Sequence, residues 1–328
     1  MAIDILAIQP TVISRDLRGK YVLIYGKPKC GKTTAAVQFP RALLCGFEKG
    51  YNAIGGVKPV DISKWAEFKL VLRQLEKPEA KAMYETIVID TVSIAWDLCE
   101  QFVCAQNGVQ KIADIPWGGG YTAAKKEFEG ALRKITQLGY GVVLIAHSAT
   151  RIEKSADGSD IEIISPELPK RAAEICNGIV DIIGYIGNEW KDGENLRYLY
   201  TRETPTLFAG SRFKYLAPKI PFSYENLVNA ISDAIDMAEK QDGATVVEHA
   251  VVSEKEILDF KTVRSEAETL WTELLNKCST DDEKQEMIRT IGKKIEMVFG
   301  RVMRLSEATE DQVDLLHLVV LEMRDLLK

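Results

Sequence analysis

An α/β fold, with a central mostly parallel sheet flanked by helices and a helical C-terminal extension, is predicted by three features of this 328-residue sequence. From Tyr21 onward, short apolar runs alternate with amphipathic stretches, the pattern of strands connected by crossover helices. The segment Gly26-Lys27-Pro28-Lys29-Cys30-Gly31-Lys32-Thr33 matches G-x-x-x-x-G-K-[ST] and stands between an apolar run and a helical one. Past Gln241-Asp242-Gly243-Ala244 the texture changes to helical segments, each opened by a polar cap residue.

Taken in order, residues 1–20 read as an irregular lead-in, closed by a turn over 15–20. The apolar runs 21–25, 42–47, 86–89, 141–146, 179–186 and 196–201 read as strands, and 33–39 as the opening turns of the helix after the glycine-rich loop. Two stretches interrupt the alternation. Residues 106–121 contain Pro116-Trp117-Gly118-Gly119-Gly120, too glycine-rich for a regular element, and 149–170 reads as a hairpin about Asp157-Gly158. A helix capped by Ser223 and running to about Glu239 closes a core of 21–240, and 241–244 is the linker. The extension, 245–328, holds helices over 253–276, 281–304 and 309–327. Its stripe Val313, Leu316, Val320, Met323 and Leu327 suits packing inside a small bundle, or docking of a protein partner.

Composition narrows the class. With 46% hydrophobic and 27% charged residues the chain can bury a sizeable core, and it lacks an 18-residue apolar run that could cross a bilayer. No basic region followed by an apolar one opens the chain, and its six cysteines form no C-x-x-C pair, so reduced thiols and a cytoplasmic location are expected. Net charge is −6, and residues 245–328 carry all of it, with 12 Lys and Arg against 18 Asp and Glu. Any nucleic-acid contact must therefore come from a local basic patch.

The loop carries the chemistry. Its glycines let successive N–H groups turn inward onto phosphate oxygens. Lys32 then reaches the β- and γ-phosphates, and the Thr33 hydroxyl ligates Mg²⁺. Gly26, Lys27, Pro28, Lys29, Cys30, Gly31, Lys32, Thr33 and Thr34 form the expected nucleotide-binding set, with ATP and Mg²⁺ as cofactors. A second carboxylate at a neighbouring strand end is needed for the metal, and Thr86-Ile87-Val88-Ile89-Asp90 supplies it, unless Asp90 only caps the next helix. The strand 42–47 runs into Glu48, where a carboxylate can orient or deprotonate a water attacking the γ-phosphate; a solvated turn is the plainer reading.

At this point the chain resembles the RecA-like core of recombinases and hexameric helicases, whose glutamate ends the strand after the loop helix. In AAA+ proteins the acid directly follows the metal-binding aspartate, and here that place is Thr91. The resemblance implies that His147, ending the run 141–146, is a γ-phosphate sensor. It implies that Arg212 and Lys214, on one face of a late strand, reach a neighbouring subunit's ATP; a solvent-facing basic pair is the alternative. It also sets the two interruptions where RecA keeps its DNA-binding loops. Trp117 and Tyr121 could stack on bases there, with Arg151, Lys154, Lys170 and Arg171 on phosphates, helped by Lys111, Lys125 and Lys126; solvated lysines are the bland reading.

More narrowly, Glu48-Lys49-Gly50, Ile145-Ala146-His147-Ser148 and Pro166-Glu167-Leu168-Pro169-Lys170 are similar to phage-encoded RecA-core ATPases, among them the single-strand annealing proteins of the Sak group. The likeness spans 21–222 and leaves out the helical tail. It implies an ATPase acting on single-stranded DNA in phage recombination or replication, as a homo-oligomeric ring or filament in the host cytoplasm. A helicase-loader or motor accessory, and a nucleotide-dependent regulator that touches no DNA, are the competing expectations.

Overall fold

The computed structural model describes residues 12–15, 17, 19–154, 158–248 and 258–327. Most of the expected lead-in, Asp157 of the hairpin turn and the start of the 253–276 helix lie outside those residues. The chain divides into two compact units, one within 10–254 and one within 255–328.

The first unit begins with β1 (Ile13–Ser14) and β2 (Tyr21–Gly26), followed by α1 (Lys32–Ala36), β3 (Ala42–Gly46), β4 (Pro59–Asp61), α2 (Trp65–Leu75) and α3 (Pro78–Met83). Next come β5 (Thr86–Asp90), α4 (Val92–Gln106), α5 (Gly119–Gln137), β6 (Gly141–Lys154), β7 (Asp160–Pro166) and α6 (Lys170–Ile179). It ends with β8 (Ile182–Lys191), β9 (Glu194–Tyr200), β10 (Gly210–Ser211), β11 (Lys219–Pro221), α7 (Tyr224–Asp242) and β12 (Val246–Val247). Among the described residues the main sheet has the order β11-β9-β8-β2-β6-β5-β3-β4. From β8 to β4 every neighbouring pair is parallel, while β9 and β11 add antiparallel edges. This is the α/β sheet that the sequence predicts.

The register aligns the strand ends that matter. Gly26 stands opposite His147 on one side and Ile186 on the other, and Gly46 stands opposite Asp90. Strand side chains alternate between faces, so these central runs must be apolar throughout. Val22, Ile24, Leu44, Val88, Val143 and Ile145 pack toward Ile231 and Ile235 of α7. Leu23, Leu43, Ile87, Ile89, Val142 and Leu144 pack on the opposite face against α2, α4 and α5. There the Phe128 ring stacks on Trp65 at 5.7 Å and meets Trp96 edge-on at 5.2 Å. Ser223 caps α7, its Oγ accepting from Asn226 N at 3.0 Å.

The structure corrects several boundaries. α1 stops at Ala36, where the chain tightens to bonds from Gln38 N to Ala35 O and from Phe39 N to Ala36 O before Pro40 and β3. The glycine-rich stretch is largely regular: two 3₁₀ turns, Ile112–Asp114 and Pro116–Gly118, lead into α5 at Gly119. Gly120 is there for close approach, because a Cβ on it would lie 2.5 Å from Ile112 O. Ile179 ends α6, and the following strand starts at Ile182. The stretch read as a linker instead completes α7 through Asp242, with Gly243 as its left-handed cap at φ 67°. β12 then pairs in parallel with β1, and Arg15 forms ion pairs with Asp236, Glu239 and Glu248.

Among the described residues the second unit holds α8 (Phe260–Asn276), α9 (Asp281–Phe299) and α10 (Val313–Leu327), with two 3₁₀ turns between the last two. Gly300, at φ 70°, ends α9 five residues before the tail helix was expected to stop. Leu316, Val320 and Met323 of the stripe are fully buried against Ala267, Leu274 and Ile291, so those positions serve the bundle. All six cysteines are free thiols, and no helix among the described residues is long and apolar enough to cross a membrane.

Phe128→Ala should destabilise the first unit by about 3–5 kcal/mol, because it empties the aromatic centre of one sheet face. Leu70→Ala, at a position 59% exposed, should stay within about 0.5 kcal/mol. Denaturant midpoints of the two variants check this.

Candidate nucleotide-binding site

The loop between β2 and α1 is shaped by left-handed residues, Lys29 at φ 63° and Gly31 at φ 97°. Gly26 is held just as closely, since a Cβ there would lie 3.0 Å from Ile186 O and 3.1 Å from Cys30 Sγ. Lys32 is only 6% exposed, and its Nζ donates to Gly26 O at 3.0 Å and Lys27 O at 2.9 Å. The ammonium therefore sits inside the curl of its own loop. Thr33 Oγ1 donates to Asp90 Oδ2 at 2.7 Å, which joins the loop to the end of β5.

Residues in or just after β3, β5 and β6 complete the site. Both Phe47 N and Glu48 N donate to Asp90 O, at 2.7 and 3.0 Å, so the chain leaving β3 is tied to the chain leaving β5. Glu48 Oε2 then lies 3.3 Å from His147 Nε2. His147 Nδ1 is buried with no hydrogen-bond partner among the described residues, and His147 O accepts from Glu167 N at 2.8 Å. Burial raises the Asp90 pKa and the nearby Glu48 charge adds to the rise; the Thr33 hydroxyl, Lys32 and His147 oppose it. A cleft of about 430 Å³ is lined by Lys29, Gly31, Thr33, Glu48, Asp90 and His147, among others. His147 also borders a second cleft of about 470 Å³ with Thr91, Asp97, Arg151 and Glu167. The Thr33 hydroxyl beside the Asp90 carboxylate is a hard-oxygen pair, which fits Mg²⁺.

The structure thus brings together Lys32, Thr33, Glu48, Asp90 and His147. Lys27 and Cys30 lend the loop their carbonyls, and Pro28 and Thr34 line the cleft. Arg212 and Lys214 are placed otherwise. They follow β10, which is only two residues long, so strand alternation does not align them. Arg212 N donates to Asp181 O at 2.8 Å, and its guanidinium contacts Asp181 Oδ1 at 3.1 Å and Gly178 O at 2.7 Å. Lys214 pairs with Asp242 at 2.9 Å. Neither lines the cleft of its own chain.

The residues expected on DNA also divide. Trp117 is fully exposed, in left-handed geometry at φ 59° just before α5. Tyr121 is half-buried in the first turn of α5, with the Arg171 guanidinium 4.4 Å from its ring centroid. The hairpin of β6 and β7 forms as expected, with Lys154 opposite Asp160 and paired to it at 2.6 Å. Arg151 donates to Leu168 O, and Lys170 is exposed at the start of α6. One cation at the loop was not anticipated. Arg197 of β9 donates through Nη1 to Cys30 O at 3.1 Å. Its approach depends on the register of a distant hairpin, and a sequence pattern carries no sign of that.

A glycine-rich loop whose threonine bonds a strand-end aspartate, at the carboxyl edge of a parallel sheet, defines a P-loop nucleotide-binding protein. The chain belongs to the AAA domain family, whose model matches residues 18–213. Along its whole length it is similar to the SPbeta prophage-derived uncharacterized protein YorG of Bacillus subtilis (strain 168), 30% identical over 339 residues and covering 100% of this chain and 99% of the relative. It is also similar to the crystal structure of a KaiC-like protein from Pyrococcus horikoshii OT3, with a TM-score of 0.34 and 16% identity over 63% of this chain and 86% of that one.

Lys32→Ala should abolish ATP binding measured by calorimetry, since it removes the cation enclosed by the loop. Asp90→Asn should still bind ATP, but its affinity should no longer respond to Mg²⁺. Parental binding by the first variant, or a parental Mg²⁺ response in the second, would contradict this assignment of the site.

Proposed function

We propose that this chain is a phage-encoded, Mg²⁺-dependent ATPase whose RecA-like core works as an oligomer on single-stranded DNA, in recombination or replication. The observation that carries the ATPase half is the convergence of Thr33, Asp90, Glu48 and His147 around one cleft. Lys32 and the loop N–H groups hold the triphosphate. Thr33 and Asp90 hold Mg²⁺, which when bound neutralises charge on the phosphate oxygens. Glu48 accepts a proton from the attacking water, and the His147 ring, 3.3 Å from that carboxylate, holds its orientation. The prophage origin of the full-length relative supports a phage setting, and the Sak-group motifs support strand annealing as the end use.

For the DNA half, the supporting observation is Trp117, a fully exposed indole on the loop before α5. The exposed Ile152 of the hairpin, with Lys170 and Arg171 at the start of α6, extends the same reading. In an assembled ring or filament, Arg212 and Lys214 would exchange Asp181 and Asp242 for a neighbour's phosphates. A regulatory ATPase that touches no DNA is the second reading. It is favoured by the internal partners that Arg151, Lys154 and Arg171 already have.

The test pairs turnover with binding. MgATP should be hydrolysed, and single-stranded DNA should bind with a log–log salt slope of about −0.7 per phosphate contacted. Trp117→Ala should weaken DNA binding by about 1–3 kcal/mol without changing ATP affinity. Absence of DNA binding at low salt with a non-hydrolysable ATP analogue present would hand the case to the regulatory reading.

A further inference from the structure

We propose that Arg197 is a second cation of the nucleotide site, supplied in cis by the β8–β9 hairpin and directed at the phosphate chain of the bound nucleotide. The inference rests on the ATPase reading of the loop and adds a positioning residue to it.

The topology delivers Arg197 there. β8 runs parallel to β2 until Ile186 stands opposite Gly26, the residue at which β2 gives way to the loop. β8 then continues to Lys191, beyond that edge of the sheet, turns at Asp192 and Gly193, and returns as β9. In this hairpin Arg197 pairs with Asn188, two residues past Ile186, so it stands beside the loop and not beside the sheet. Its backbone is fixed on both sides, by the β8 ladder and by Phe222 N, which donates to Arg197 O at 2.9 Å.

The side chain is aimed at the turn of the loop around Gly31. Nη1 donates to Cys30 O at 3.1 Å and would lie 3.2 Å from a Cβ placed on Gly31. That carbonyl bond is the one hydrogen bond its guanidinium makes among the described residues. No carboxylate there pairs with Arg197, whereas Arg212, Lys214 and Lys219 each have an acidic partner. A guanidinium carries five N–H donors, and Arg197 is exposed, so an uncompensated positive charge with spare donors faces out beside a phosphate-binding loop. Its planar fork suits phosphate oxygens. Lys32 works from inside the curl, held by Gly26 O and Lys27 O, while Arg197 would reach in from outside the residues that line the cleft. A contact made equally to bound ATP and to the transition state lowers KM and leaves kcat alone.

The experiment measures MgATP affinity and steady-state turnover for Arg197→Gln, Arg197→Lys and Lys32→Ala. Arg197→Gln, which removes the charge, should raise Kd and KM about tenfold, the effect of one charged hydrogen bond. Its kcat and thermal midpoint should stay near parental, and Arg197→Lys should recover part of the loss, since it restores the charge without the planar fork. Arg197→Met, uncharged and apolar, repeats the test should the glutamine variant not fold. A parental Kd for the uncharged variants would overturn the proposal, as would a fall in kcat at unchanged KM, or a lysine variant no better than glutamine. Lys32→Ala separates the two layers. If it binds ATP normally, the ATPase reading fails; if it loses ATP while Arg197→Gln does not, only the role of Arg197 fails.

Discussion

The hydrogen bond from Thr33 Oγ1 to Asp90 Oδ2 joins the loop after β2 to the end of β5, a strand that is not its neighbour in the sheet. β6 lies between them, so the contact forms only if the loop after β2 and the end of β5 reach the same edge of the sheet across it. The register provides that, with Gly26 opposite His147 and Asp90 opposite Ile145. The bond also compensates a carboxylate that is only 5% exposed, since an ionised group buried without a partner would cost several kcal/mol. Everything else at the site is arranged around this fixed point. Asp90 O receives the two N–H groups that set Glu48, and His147 emerges from the strand the contact spans.

Charge explains why the arrangement suits a triphosphate with its metal. Two carboxylates, Asp90 and Glu48, are close enough for one to raise the other's pKa. Lys32 lies within the same electrostatic neighbourhood and partly offsets them, but its ammonium is engaged by loop carbonyls. A divalent cation held by Thr33 and Asp90 would relieve this repulsion while phosphates meet the loop N–H groups. Glu48, with its side chain 45% exposed, keeps the access to water that a general base needs. Glu48 follows β3, while Thr91 occupies the place directly after Asp90, so under the proposed function metal binding and water activation would fall to the ends of two separate strands.

Much of this was legible in the chain itself. The loop is readable because phosphate binding demands particular residue types at fixed spacing. Asp90, Glu48 and His147 are readable because each ends an apolar run that can only be a buried strand. What could not be read depends on partners far away in sequence. Gly119 and Gly120 look like breakers, yet they open α5, because the space that Gly120 leaves is taken by Ile112 and Ile115. Arg212 and Lys214 look like alternating strand residues, yet Asp181 draws the first aside after a two-residue strand. Tyr121 was expected to await a base, and Arg171 from α6 covers its ring instead. Arg197 reaches the loop only through hairpin register.

The most direct test of the account is single-turnover hydrolysis of MgATP by Glu48→Gln beside the parental protein, with ATP affinity measured on the same samples. In the proposed function Glu48 acts on the water and not on the phosphates, so the variant should bind ATP as tightly as the parent. Its chemical step should be slower by about a hundredfold or more, the range for a positioned general base. Hydrolysis by Glu48→Gln at the parental rate would contradict the account, because the strand end that the Asp90 contact holds in place would then not be the one that activates water.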